Sequence, residues 1–154
     1  MNNRIDNITQ EDALIIWKNF SGLPDKFSPQ GGKKTFSLVL SEEDAKKYFD
    51  IGWNVKAREP KDGDGETLYY LPVKVSYAVK PPKVVMVTRK NKTDLDEDTI
   101  GLLDSKDIER ADVCVTPYEW EVGGKHGITA YLKTLYAVIA EDEFAEKYGD
   151  YDDE

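Results

Sequence analysis

The sequence predicts a mainly β protein, one barrel or sandwich with one or two short helices, long hairpin extensions and a flexible acidic C-terminal tail. Three observations predict it. Apolar and polar residues alternate with period two in several separate stretches, Gly- and Pro-containing turns divide those stretches, and the acidic excess gathers at one end. With 154 residues and 40% apolar content, the chain can bury one sizeable core and has no room for a second.

Residues 13–20, apolar and rich in Ile and aromatic rings, read as a first strand that Ser21-Gly22-Leu23-Pro24-Asp25 breaks. Residues 26–34, with Pro29 and Gly31-Gly32, read as a loop. In residues 35–40, Phe36, Leu38 and Leu40 alternate with Thr35, Ser37 and Val39, the pattern of a half-buried strand. Ser41 is an N-cap candidate before Glu42, Glu43 and Asp44, so a short helix is expected over 42–50, ahead of Gly52. In residues 53–59, Trp53, Val55 and Ala57 share one face and Asn54, Lys56 and Arg58 the other, which is too cationic for a core. The Asp62-Gly63-Asp64-Gly65 string forms a hairpin tip. The return strand, residues 68–80, sets Leu71, Val73, Val75, Tyr77 and Val79 against Tyr70, Lys74, Ser76 and Lys80. Pro81-Pro82 ends it, residues 83–89 form another strand, and 96–103 can make a helical turn. Two long strands, 112–122 and 128–140, close the domain around the glycine-rich turn 123–127.

No helix of 10 to 15 residues alternates regularly with these strands, which argues against a parallel βαβ sheet. The strand count and the helix between strands suit an OB-fold-like Greek-key barrel with extensions, and a β-sandwich stays open. The domain is expected over residues 1–140 and the tail over 141–154. Residues 141–154 hold eight acids against Lys147, seven of the nine excess negative charges. The nearly neutral body contains residues 67–93, with Lys74, Lys80, Lys83, Arg89, Lys90 and Lys92 and no acid. No run of about 18 apolar residues exists and Met1-Asn2-Asn3-Arg4-Ile5-Asp6 lacks a leader pattern, so a cytoplasmic location is expected.

Motifs for chemistry fail on inspection. The single cysteine, Cys114, lies in an apolar run and reads as a buried, inert thiol. His126, the single histidine, reads as an exposed turn residue. Gly123-Gly124-Lys125 is no phosphate loop, because Glu119 and His126 stand where a Gly and a Ser or Thr are required. Asp94, Asp96 and Asp98 open like a calcium loop, but Thr99 and Ser105 replace its Gly and Glu; Asp62, Asp64 and Glu66 fail at Thr67. No catalytic residue, metal or cofactor is therefore expected. Cations interleaved with aromatic rings on neighbouring strands are the informative pattern, since single-stranded nucleic acid is held by charges that track phosphates and rings that stack on bases. The candidate DNA-binding residues are Lys56, Arg58, Tyr70, Lys74, Lys80, Lys83, Arg89, Lys90 and Tyr131. Trp17, Phe36, Trp53 and Tyr77 fall on apolar faces and are expected in the core.

The strings Trp17-Lys18-Asn19-Phe20-Ser21-Gly22, Gly52-Trp53-Asn54-Val55-Lys56, Pro81-Pro82-Lys83-Val84-Val85, and Thr93-Asp94-Leu95-Asp96-Glu97-Asp98 together resemble the OB-fold single-stranded DNA-binding proteins of tailed bacteriophages, in which case the expected cytoplasm is the host's. The closing hairpin carries it furthest, with Pro117-Tyr118-Glu119-Trp120-Glu121-Val122, Gly124-Lys125-His126-Gly127-Ile128 and Ala130-Tyr131-Leu132-Lys133. The resemblance covers most of residues 13–148 and none of its motifs is catalytic. It implies a protein that coats and protects unwound phage DNA in replication or recombination. Its acidic tail, Asp150, Asp152, Asp153 and Glu154 included, would be open to replication or recombination proteins. Tails in this functional class commonly end in an aromatic residue, whereas this sequence reads Tyr151-Asp152-Asp153-Glu154, which leaves the docking partner open. Two competing functions are an acidic DNA mimic that inhibits a host enzyme, for which the acids are too concentrated in the tail, and a metal-dependent nuclease using Asp94, Asp96 and Asp98.

Overall fold

In the computed structural model, which describes residues 4–140 apart from 27, 62, 64 and 79, the chain is dominated by strands. Their order is β1 (Ile8–Ala13), β2 (Ile15–Asn19), β3 (Lys34–Leu40), α1 (Glu42–Ile51), β4 (Lys56–Arg58), β5 (Leu68–Val75), β6 (Lys83–Val87), β7 (Lys92–Leu95), a 3-10 helix (Ile100–Ser105), β8 (Ile108–Val122) and β9 (Lys125–Ile139). The ladder path runs β1-β8-β9-β5-β3-β2. Its two ends are consecutive in the chain, separated by Leu14 alone, whose carbonyl accepts the Val39 N–H of β3. β1 and β2 are therefore one bent strand that pairs with β8 by its first half and with β3 by its second. The path returns to its start, the connectivity of a five-stranded OB barrel. β9 is the spine: it is antiparallel to β8 and parallel to both β5 and β6.

Local chemistry explains these elements. The Ser41 hydroxyl accepts the Asp44 N–H, three acids sit in the first turn of α1, and Gly52 ends the helix. Phe36 and Leu38 of β3 and Leu71 and Val73 of β5 are fully buried, while the residues between them in β5 point outward. Phe20 packs on Phe36 with ring centroids 5.5 Å apart, in a core completed by Val113 and Val115 of β8 and by Leu135 of β9. Each such side chain contributes about 1.5–3 kcal/mol. β8 and β9 meet at Gly123-Gly124, where φ of 58° and 82° gives the left-handed pair that matches a two-residue hairpin to the twist of its strands.

The structure departs from the sequence expectations at definite places. The strand expected over 13–20 begins earlier, because β1 pairs with β8 although most of its side chains are polar. The strand expected over 68–80 stops at Val75, so Lys80 lies off the sheet in the crossing to β6. β7 was not expected; it pairs with β6, and the predicted helical turn is the 3-10 helix. β9 starts at Lys125, which places His126 on a strand opposite Glu121 instead of in a turn. Cys114 is half-buried, on the side of β8 where the Thr9 hydroxyl donates to its Sγ at 3.6 Å. No helix among the described residues is long and apolar enough to cross a membrane. The acidic segment 141–154, with Asp150, Asp152, Asp153 and Glu154, lies outside the described residues.

Candidate nucleic-acid interface

Register assembles the site. Tyr70, Pro72 and Lys74 alternate with buried Leu71, Val73 and Val75 along β5, so Tyr70 and Lys74 share its outer side. β4 lies against β5 with Lys56 opposite Tyr70 and Arg58 opposite Leu68, which brings both cations to that side. Further along the same edge of β5, the one opposite β3, Lys74 stands beside Tyr131 of β9. Tyr131 is opposite Thr116 of β8, and its ring meets that of Tyr118 edge-on at 5.7 Å. Lys56, Arg58, Tyr70, Lys74 and Tyr131 thus form one strip across three neighbouring strands.

The strip contains a residue that sequence reasoning placed in the core. Trp17 is 49% exposed. The β2–β3 register shifts between Ile16 and Asn19, and Trp17 there adopts φ of 51°, a left-handed conformation that costs a non-glycine residue about 1–2 kcal/mol. This bulge turns the indole out of the alternation and onto the outer face. There it meets Tyr70 edge-on at 4.7 Å, with the Arg58 guanidinium 5.8 Å from its ring. Just beyond the bulge, the Asp104 carboxylate accepts the Phe20 and Ser21 N–H groups, both at 2.8 Å, and fixes the exit of β2 to the 3-10 helix. Phe36 and Trp53 are buried as expected. Tyr77 is half-buried, and burial, with Glu97 and Asp96 nearby, pushes its phenol above the ordinary value.

The remaining candidates divide. Lys83 opens β6 beside Thr134, on the outer side of β9 that carries Tyr131, and its Nζ lies 5.9 Å from the Tyr136 ring. Arg89 and Lys90 sit in the turn between β6 and β7. That turn follows Val87, the partner of Val138, and at about 3.3 Å per residue Val138 is roughly 20 Å from Tyr131 along β9. Arg89 and Lys90 are therefore not brought onto the strip, and Lys80 lies off the sheet, in the crossing from β5 to β6. Among the acids, Asp96 builds a turn: its carboxylate accepts the Asp98 and Thr99 N–H groups and the Thr99 hydroxyl, and the Thr99 bonds hold it below the usual carboxylate range.

A β-barrel face that interleaves aromatic rings with cations defines the class of single-stranded nucleic-acid binders. The chain belongs to the phage ssDNA-binding family: the family model described as "Putative phage ssDNA-binding domain" matches residues 1–153. No curated protein sequence matches it. Among solved structures it is similar to the single-stranded DNA-binding protein from bacteriophage Enc34, with a TM-score of 0.55 and 12% identity over 96% of this chain and 90% of that one. A C-terminal truncation of that protein gives 0.55 and 11% over 88% and 87%. Its complex with ssDNA gives 0.54 and 11% over 90% and 89%. At such identities the likeness is one of fold.

Proposed function

We propose that this chain binds single-stranded DNA with little sequence preference, without chemistry, and protects it during phage replication or recombination. Membership of the phage ssDNA-binding family supports the ligand. The observation that carries the site is the placement of Trp17, Tyr70 and Tyr131 on one outer face with Lys56, Arg58 and Lys74 between and beside them. Every base has a π-face, so stacked rings accept any sequence while the cations follow the phosphates. Lys83 extends the same face along β9. Residues 1–140 are the binding domain in this reading, and the acidic residues of 141–154, among them Asp150, Asp152, Asp153 and Glu154, form a separate tail that recruits replication or recombination proteins.

A gel shift with labelled oligo-dT, run in EDTA and then in magnesium, tests the reading. Equal retardation in both, with the oligonucleotide intact, is the expected result. Absence of a shift would reject DNA binding, and shortening of the oligonucleotide in magnesium would reveal a nuclease.

A further inference from the structure

β6 and β7 carry the sheet sideways beyond the barrel. β6 pairs with both β9 and β7, whereas β7 pairs with β6 alone among the described residues. β7 is therefore an edge strand, with one row of backbone N–H and C=O groups turned away from the sheet. The turn before it fixes which groups those are. The Asn91 carbonyl accepts the Thr88 N–H, so alternation points the backbone groups of Asn91, Thr93 and Leu95 at β6 and those of Lys92 and Asp94 outward. Leu95 is buried and anchors the strand, while Lys92, Thr93 and Asp94 are exposed.

The charges along this edge run in mirror order. In Arg89-Lys90-Asn91-Lys92-Thr93-Asp94-Leu95-Asp96-Glu97, counted outward from Thr93, Lys92 mirrors Asp94, Lys90 mirrors Asp96 and Arg89 mirrors Glu97. A second copy of β7 laid antiparallel on the first, with Thr93 opposite Thr93, meets an opposite charge at each of these positions. The backbone requires the same register. Lys92 and Asp94, whose peptide groups face outward, become hydrogen-bonded pairs with Asp94 and Lys92 of the second copy, and Thr93, whose groups serve β6, takes the non-hydrogen-bonded position. Arg89 and Lys90 precede the ladder and Asp96 and Glu97 follow it, so they bring opposite charges together at its two ends.

We propose that the free edge of β7 is a self-association surface, joining two copies of this chain about a two-fold axis at Thr93. Cross-strand partners share a side, so Lys92 and Asp94 meet on the side of Val85 and Val87, which is also that of Lys83. The joined sheet runs β9-β6-β7-β7-β6-β9 and turns the outer sides of both copies in one direction, the two β9 strands about 24 Å apart at ~4.8 Å per strand. A ladder of four residues is far smaller than a permanent interface, so the dimer is weak, reversible and sensitive to salt. The pairing stands on the edge itself and does not depend on what the outer face binds.

The test is sedimentation velocity of the full-length protein, without DNA, over a concentration series. It compares wild type, Lys92→Asp, Asp94→Lys and an equimolar mixture of the two variants. Wild type should pass from monomer to dimer with a midpoint on the order of 0.1 mM, and at higher concentration when salt is raised. Either variant sets like charges against each other at both Lys92–Asp94 contacts and should weaken association by roughly tenfold. The mixture offers an all-acidic edge to an all-basic one and should recover association close to that of wild type, which also shows that both variants are folded. A wild type that stays monomeric up to about 1 mM overturns the proposal and leaves the charges of β7 as a guard against edge pairing. Association that survives both substitutions, or a mixture that does not recover, overturns it as well. If the acids of 141–154 held copies together by binding the cations of another chain, Asp94→Lys would strengthen association, and that result too would overturn it.

Discussion

Trp17 is the residue on which the site turns. Its left-handed backbone is unfavourable by itself, and the contacts at Tyr70 and Arg58 lie on the outer surface, where they add little to the core. A strained aromatic residue kept at the surface beside another ring and a guanidinium fits the proposed function, in which a base stacks on it. Trp17→Ala should therefore cost about 1–3 kcal/mol of oligo-dT binding, and Trp17→Phe much less. Thermal unfolding provides the control: Ala keeps the Cβ and with it the backbone strain, and the indole lies on the outer surface, so the melting temperature of Trp17→Ala should stay near that of wild type, and a large fall would assign the residue to stability instead. Period-two reading could not find it, because the bulge between Ile16 and Asn19 breaks the alternation that assigned Trp17 to the core. Tyr70 and Lys74 were legible for the opposite reason. They lie in β5, whose alternation with Leu71, Val73 and Val75 is unbroken.

At the scale of elements, strands β4 and β5 carry the cations of the strip and β9 its Tyr131, and their registers decide which charges act together. Replacing Lys56, Arg58 and Lys74 by Ala should lower the dependence of log affinity on log salt by about 0.7 per contact, roughly 2 for the three. The same change at Lys80, Arg89 and Lys90 should leave the slope close to that of wild type. Sequence could not make this division, since residues 67–93 read as one acid-free stretch, whereas β5 ends at Val75, Lys80 lies off the sheet, Arg89 and Lys90 sit in the distant β6–β7 turn, and Lys83 alone of the four returns to the outer side of β9. The helix was the best-read element, because capping is local: Ser41, the acids after it and Gly52 lie within twelve residues. Ser41→Ala should cost about 1 kcal/mol in denaturant unfolding and leave oligo-dT affinity unchanged, as α1 contributes no residue to the strip. The parallel pairing of β9 with β5 and β6 was illegible, for it joins segments more than 45 residues apart that no local pattern connects.

For the whole molecule, a chain of net charge −9 binds a polyanion by separating its charges. The acids of 141–154 hold most of the excess, and the β8–β9 ribbon repeats the separation on a small scale by turning Glu119 and Glu121 away from Tyr118 and Trp120. On the proposed reading of residues 141–154 as a tail, a tethered acidic segment would compete with phosphates at an effective concentration of order millimolar. Ending the chain after Tyr148, which removes Asp150, Asp152, Asp153 and Glu154, should tighten oligo-dT binding, most at low salt where screening is weakest. Unchanged affinity at low salt would leave partner recruitment as the role of those acids. The central claim, that the outer face of β2, β4, β5 and β9 is the DNA site, is tested most directly by the indole N–H resonances of the three tryptophans during an oligo-dT titration. The account predicts that the Trp17 signal shifts progressively with added DNA while that of buried Trp53 stays in place. A Trp17 signal that does not move while DNA binds would contradict it.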